Sequence, residues 1–427
     1  MPIRGALSGV RVLDFSEYIA GPYAGQMLAD MGASVTKIEP LHGDFWRLTG
    51  PVAPNESRGF MGVNKGKRSA SIDLKKPESR EIVERAVRAA DVLLQNYRPG
   101  VAERLGLDYE ALATINPRLI YCENTAFGSS GPYRDRAGFD LASQAMTGIM
   151  SFEGAGGLPH PIITTSPTDL SAGMFMAFAV ASALYQREHT GRGQRIETSL
   201  FAAGLAIQYR PMFSIESIDQ PNRERLLADV AAARARGERI DVVVAAHRPR
   251  EGAARILNPY YKVYETQDSY IALACLNNRL RRLATEVLGV DDPRVAGPEF
   301  DMNALAADDS LVLSELIAAI FTTKTTADWA ELFDARGVPA APVKLTAELF
   351  DDPQVVSQGL LVDLEHPVLG KVRMANSPLR MSEAETGSHD PSPALGQHTR
   401  EFLAELGFGP GEIAAFERAE VVRAWNP

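Results

Sequence analysis

One acidic residue sits where chemistry and structure both have a claim on it. Asp169 lies in TTSPTDLSAGM, between a polar loop and a long apolar run, and its neighbours Ser171, Ala172 and Gly173 are small. Small side chains leave room for a ligand to approach the carboxylate closely, so catalysis is one reading. An aspartate ahead of an apolar run is also a preferred helix N-cap, accepting a backbone N–H that would otherwise lack a partner. Taken locally the cap is the better reading, and the surrounding chain has to decide. Other chemistries lack their signatures. Gly21 and Gly25 in AGPYAG do not make GxGxxG, and NKGKR at Asn64–Arg68 contains no GxxxxGK[ST] phosphate loop. GxSxG, HExxH and paired CxxC are also missing, which leaves no metal or redox site to propose.

The whole chain narrows the class. At 427 residues it exceeds one typical core, so two domains are expected. Apolar content of 45% and charged content of 23% match a soluble globular protein. A net charge of −10 argues against nucleic-acid binding, so a phosphate-bearing ligand would need a local basic cluster. Two distant cysteines, Cys122 and Cys275, suit a reducing cytoplasm. The start, MPIRGALSGVRVLDF, has no signal-peptide apolar region, and the longest apolar run, Met174 to Tyr185, is too short to span a bilayer. The expectation is a cytoplasmic protein with no membrane and no nucleic-acid partner.

The elements that would position Asp169 follow from the pattern. VRVLDF (10–15), SVTKIE (34–39), SASIDL (69–74), VLLQ (92–95) and LIYCEN (119–124) read as strands. Helices are expected at 23–31, from Pro77 to Ala89, and at 109–115. Alternating strands and helices predict an α/β fold with an open, mostly parallel Rossmann-like sheet, and ligands gather at its strand ends. An apolar helix follows Asp169, ended by Gly191 and Gly193, and 194–200 alternates as a half-buried strand. The Ala/Arg/Glu-rich stretch 219–257 reads as an exposed helix and linker. Two runs around TQDS predict a hairpin in a small α+β domain at 258–326. Beyond it the pattern gives a helix at 328–335, a hairpin near 368–371 and a terminal helix at 398–406.

An ordered series of motifs then resembles the class III CoA-transferases. It includes LSGVRVLDFSEYIAGP, GASVTKIEP, NKGKRSASIDLKKPE, ADVLLQNYRPGVAERLGLDYEAL and NPRLIYCENTAFGSSGPYRDRAGFDLASQA. TDLSAG, HTGRGQRIETSL, RGVPAAPV and LGQHTREFLAELGF continue it. The resemblance implies that Asp169 is the catalytic carboxylate. It places CoA on Ile72, Asp73, Leu74, Lys75, Asn96, Tyr97, Arg98 and Arg104. Ile19 stands where a polar residue of the family meets substrate, and Pro40 where the family has an arginine. Asp140, in GFDLASQA, matches an acidic residue near the active site and would position the acyl group or the incoming acid. The resemblance also implies one large domain built from residues 1–218 and 327–427, the latter returning to it, and an interlocked homodimer.

In that chemistry an acyl-CoA and a small carboxylic acid are substrates, CoA is not a resident cofactor, and the nucleophile is a carboxylate. An intramolecular transfer on a diacid would use the same Asp169. A related 2-methylacyl-CoA racemase needs a proton-bearing histidine where this chain has Phe139, in Gly138–Phe139–Asp140. The histidines show no spacing that restores such a pair, and most read as surface residues.

Overall fold

The apolar runs become strands buried on both faces. The computed structural model describes residues 5–150, 159–239, 258–295 and 307–426. β1 (Arg11–Asp14) leads through α1 (Ala20–Asp30) to β2 (Ser34–Glu39). A small hairpin, β3 (Pro51–Ala53) and β4 (Glu56–Ser57), and α2 (Arg58–Gly62) precede β5 (Arg68–Ile72). Next come α3 (Ser79–Ala89), β6 (Val92–Gln95), α4 (Val101–Leu105), α5 (Tyr109–Ile115) and β7 (Ile120–Thr125). The stretch around Asp169 follows as α6 (Asp140–Thr147), the long α7 (Pro167–Thr190), β8 (Gln194–Ser199) and α8 (Leu200–Ala206).

By its contacts the chain divides into two units, one up to Glu216 and from Pro353 on, the other Ser217–Asp352. The exposed helix expected after 218 is α9 (Glu216–Ala235), whereas residues 240–257 of that segment lie outside the described residues. In the second unit β9 (Tyr261–Glu265) and β10 (Tyr270–Ala274) form the expected hairpin, followed by α10 (Asn278–Leu288) and α11 (Ala307–Phe321). The sequence reading gives α12 (Thr326–Asp334) and β11 (Ala340–Pro342) to the returning part. They belong here instead, because β11 pairs antiparallel with β10 and Trp329 and Phe333 share a core with Tyr264 and Phe321. A hairpin's open edge and aromatic face recruit them, which no local pattern announces.

The return comprises α13 (Pro353–Ser357), the hairpin β12 (Leu361–His366) and β13 (Gly370–Ala375), α14 (Thr399–Glu405), α15 (Pro410–Arg418) and β14 (Val422–Arg423). The last two elements lie beyond the terminal helix that the sequence suggests. β14 is only two residues long, and what defines it is pairing with β5, Val422 opposite Ile72. The sheet order is β14-β5-β2-β1-β6-β7-β8, parallel except for β14. One face packs Val12, Val35, Leu94 and Cys122 against α1 and α7, through Leu28, Met176 and Val180. The other packs Leu13, Ile38, Leu93 and Tyr121 against α3 and α14, through Ile82, Val87, Phe402 and Leu403. Alternate residues of one strand therefore fill opposite cores, and the run reads as continuously apolar.

By length and composition α7 could cross a membrane, although its uninterrupted apolar run is shorter. Here its inner face lies on the sheet. Gly191 ends it at φ +70°, the left-handed cap expected. Gly193 serves a different purpose. A Cβ there would sit 2.0 Å from the Leu119 carbonyl oxygen, so only glycine lets β8 approach β7.

The basic cluster NKGKR is spent on internal charge pairs. Lys67 Nζ donates to Asp14 at 2.8 Å, to the Pro22 carbonyl at 2.6 Å and to Asn64 at 2.8 Å. Lys65 pairs with Asp30 at 2.6 Å, which also accepts from Ser388 N of the returning segment at 2.8 Å. Lys37 meets Asp44 at 2.9 Å, and Arg47 bridges Glu39 at 2.7 Å and Glu56 at 3.1 Å while donating to the Pro393 carbonyl at 2.9 Å. His366 is also buried, its Nε2 3.6 Å from Glu56, against the expectation of a surface histidine. Removing one partner of a buried pair strands the other charge. Lys67→Met is therefore expected to lower unfolding free energy by about 3–5 kcal/mol in urea titration, and a loss under about 1 kcal/mol would contradict this account.

Candidate active site

Three helices begin near one another at the carboxyl edge of the sheet. β1 lies between β2 and β6; the chain runs outward from β1 through β2 to β5, then crosses back to β6 and runs outward through β7 to β8, which makes the β1–β6 gap a topological switch point. The loop after β1 is pinned there by Asn96, whose Oδ1 accepts from Glu17 N at 2.8 Å and whose Nδ2 donates to Glu17 O at 2.7 Å. Tyr18 then takes φ +66°, and its ring meets Phe139 edge-on with centroids 5.0 Å apart. Ile19 flanks the start of α1, and Phe139 flanks the start of α6. α7 crosses α1 through small residues: a Cβ on Gly173 would lie 2.7 Å from the Ala20 carbonyl oxygen. Ala20, Ala172, Leu200 and Ala203 fill that crossing. The small residues after Asp169 thus serve helix contact first.

Asp169 is not the cap that its local sequence suggests. α7 starts at Pro167, so Asp169 lies within the first turn, and the flanking Ser166, at φ +40°, offers no side-chain cap. The missing acceptor comes from α6. Asp140 Oδ1 accepts from Thr168 N at 2.9 Å, Thr168 Oγ1 at 2.7 Å and Asp169 N at 3.2 Å. Its other oxygen accepts from Gln144 Nε2, and Gln144 is itself held by Ile162 N and O, each at 2.9 Å. Asp140 is buried and fully engaged with protein groups, so its expected contact with the acyl group or incoming acid gives way to a cap on α7.

This leaves the Asp169 carboxylate with no ion pair or hydrogen bond among the described residues. Burial, and then the Asp140 carboxylate, push it up to about 7 from the usual 3.8. The starts of α1 and α6 lie close by, as the approach of Gly173 to Ala20 and the bond from Asp169 N to Asp140 show, and helix starts favour negative charge. A carboxylate so placed is poorly solvated, unpaired and beside donors that can receive a developing oxyanion.

The residues expected to meet CoA divide into two groups. Ile72 and Leu74 join the sheet core, Asp73 Oδ1 accepts from Lys75 N at 3.0 Å, and the Asn96 amide is committed to Glu17. Tyr97 packs on the same core. Lys75, Arg98 and Arg104 are exposed cations without an ion pair among the described residues. They follow β5 and β6, whose ends are separated by β2 and β1, roughly 14 Å along one edge. An extended anionic ligand can span that distance, whereas a compact one cannot. Beside it lies a cavity of about 430 Å³ lined by Tyr97, Arg98, Tyr121, Glu123, Arg134 and Arg195, which does not reach Asp140 or Asp169.

Sequence reading missed Tyr18, Thr168 and Gln144. Thr168 was visible within PTD, but its partner lies 28 residues upstream, and nothing local pointed to it. Residues 154–158 of the GAGGLPHP loop fall outside the described residues, and His160 is exposed.

Comparison with known proteins gives the family. The chain is 32% identical to a succinyl-CoA:glutarate CoA-transferase of Mus musculus, over 94% of this chain and 86% of that one. It is 34% identical to an acetyl-CoA:oxalate CoA-transferase of Acetobacter aceti, over 89% of this chain and 90% of the other. A solved CAIB/BAIF family protein from Brucella suis has a TM-score of 0.75 at 32% identity, covering 94% of this chain and all of its own. Residues 7–399 match CoA-transferase family III over nearly the whole chain, and the protein belongs to that family.

Proposed function

We propose that the chain moves CoA from an acyl-CoA thioester to a carboxylic acid through covalent intermediates on Asp169. The observation that carries this reading is the Asp169 carboxylate itself: unpaired, desolvated, and at a helix start whose cap comes from Asp140. An Asp169 oxygen attacks the thioester carbonyl carbon, the C–S bond breaks, and CoA leaves as thiolate from a mixed anhydride. The thiolate attacks the aspartyl carbonyl carbon, the donor acid departs as carboxylate, and an aspartyl-CoA thioester remains. The incoming carboxylate attacks that thioester, and thiolate addition to the new acyl carbonyl releases acyl-CoA and free Asp169. The route calls for no metal or redox group. First-turn N–H groups of α1 would hold the oxyanions, and Lys75, Arg98 and Arg104 would meet the phosphates of CoA. The activities named for the two curated relatives support small carboxylic acids as donors and acceptors. Phe139 has no proton to exchange, which favours transfer over racemisation.

The same reading includes a homodimer, interlocked as the family resemblance implies. Met174, Phe178 and Tyr185 share one outward face of α7, with Phe178 74% exposed and Tyr185 71%. Tyr209, Met212 and Phe213 are exposed as well, and apolar side chains gathered in this way mark interaction surfaces.

Incubation with acyl-CoA and hydroxylamine should leave a hydroxamate on Asp169 in peptide mass spectrometry, and Asp169→Ala should abolish both adduct and transfer. Full transfer by Asp169→Ala would sink the mechanism. The pH profile carries a second test. Because the native pKa is raised, the reactive carboxylate is present above about pH 7 and is lost as pH falls below it. In the free enzyme kcat/KM should drop about tenfold per unit on the acid side. Asp140→Asn keeps an accepting oxygen but removes the neighbouring charge, so its midpoint should move to lower pH. An unmoved midpoint would contradict the coupling. Light scattering should give twice the chain's 46.3 kDa, and a monomer mass at micromolar concentration would overturn the dimer.

A further inference from the structure

Resting on the reading of Asp169 above, we propose that its acyl pocket takes an uncharged acyl group with a ring-sized apolar body, selected by Tyr18 and Phe139. Tyr18 is a non-glycine residue in the left-handed region, φ +66°, a conformation retained where surrounding structure imposes it. The surroundings here are specific. Asn96 clamps Glu17 from both backbone sides, and Asp44 Oδ1 accepts from Tyr18 N at 3.2 Å. The result aims the phenol at Phe139, 5.0 Å away, and sets it among Phe45 and Trp46, at 6.4 and 6.1 Å. Such ring separations are those of ordinary aromatic pairs.

This aromatic cluster is not sealed. Phe139 is 54% exposed and Phe45 48%, and Leu141, on the first turn of α6, is 52%. Phe139 immediately precedes Asp140, which binds Asp169 N, and Tyr18 immediately precedes Ile19 at the start of α1. The wall therefore borders the place where the mixed anhydride on Asp169 would carry its acyl chain. Phe139 is unneeded for capping, and its exposure lowers stability unless something apolar covers it.

Charge points the same way. The charged group acting on Asp169 is another carboxylate, Asp140, and those acting on the Tyr18 phenol include Glu17 and Asp44. Arg98 is the cation whose charge reaches Tyr18, and under the proposed function it serves the CoA phosphates. A second carboxylate on the acyl group would enter acidic surroundings and lose hydration against aromatic rings, which is unfavourable. An uncharged ring or similarly broad apolar body meets neither penalty. The chain would then differ in acyl preference from the succinyl-CoA-dependent relative described above.

The test uses full-length Asp169→Ala protein, which binds acyl-CoA without consuming it, and calorimetric titration with phenylacetyl-CoA, succinyl-CoA and free CoA. Free CoA separates acyl contacts from nucleotide contacts. Phenylacetyl-CoA should bind about tenfold tighter than succinyl-CoA, or better. Adding Phe139→Ala or Tyr18→Ala should shrink that ratio by about threefold or more. Equal or tighter binding of succinyl-CoA, or a ratio unchanged by both substitutions, overturns the proposal. Failure of the Asp169 reading shows itself separately, as transfer activity surviving in Asp169→Ala.

Discussion

A single carboxylate oxygen governs the geometry of the site. Asp140 Oδ1 takes the first-turn donors of α7, which that helix cannot satisfy alone because Ser166 turns away at φ +40°. Capping from a separate helix splits two roles that one aspartate would otherwise have to combine. Asp140 holds the helix, and Asp169, inside the first turn, keeps both oxygens free of protein donors among the described residues. The price is a second negative charge close by, and Asp169 is harder to ionise for it. Under the proposed mechanism that cost is useful, since a carboxylate poorly satisfied in the ground state gains more from attacking a carbonyl.

The cap has value only if α7 is itself fixed in place. Its inner face is held by the sheet, and its first turns by α1, against which Gly173 and Ala172 allow backbone contact. α1 is in turn anchored through the strand ends. Asp14 at the end of β1 pairs with Lys67, and Lys67 also holds the Pro22 carbonyl of α1. Charges in a dry interior are tolerated only when nearly every donor and acceptor is met. Lys67 finds three acceptors within the first part of the chain, whereas Arg47 and Lys65 also draw on Pro393 and Ser388 of the returning segment. The acidic chain thus uses several basic residues as internal struts rather than for ligand capture, while Lys75, Arg98 and Arg104 have no ion pair among the described residues.

Much of the large unit was legible because its signals are local. Strand 34–39, strand 92–95 and helix 109–115 match their expected bounds, since each is a run of one periodicity between clear breakers. Asp169 was conspicuous because an acidic residue between a polar loop and an apolar helix has few reasons to be there. The errors share a cause as well. Gly193 was read as a helix cap, yet it clears the path of β8 past Leu119. α12 and β11 were given to the wrong unit, because β11 is a strand only through its pairing with β10.

The sequence by itself determined the periodic elements, the parallel sheet, the family and the candidate nucleophile. Each is carried by residues close together in the chain, through side-chain periodicity and ordered motifs. Tertiary structure alone decided that Asp169 is not the cap of its own helix, that Asp140 is, and that Tyr18 faces Phe139. Those facts depend on which helix starts meet at the end of β1. The meeting is fixed by hydrogen bonds and ion pairs between residues tens to hundreds of positions apart, as Thr168 with Asp140 and Arg47 with Pro393 show. Separation of that order leaves no periodic trace, because the partners are chosen by packing of the sheet and not by neighbours in the chain.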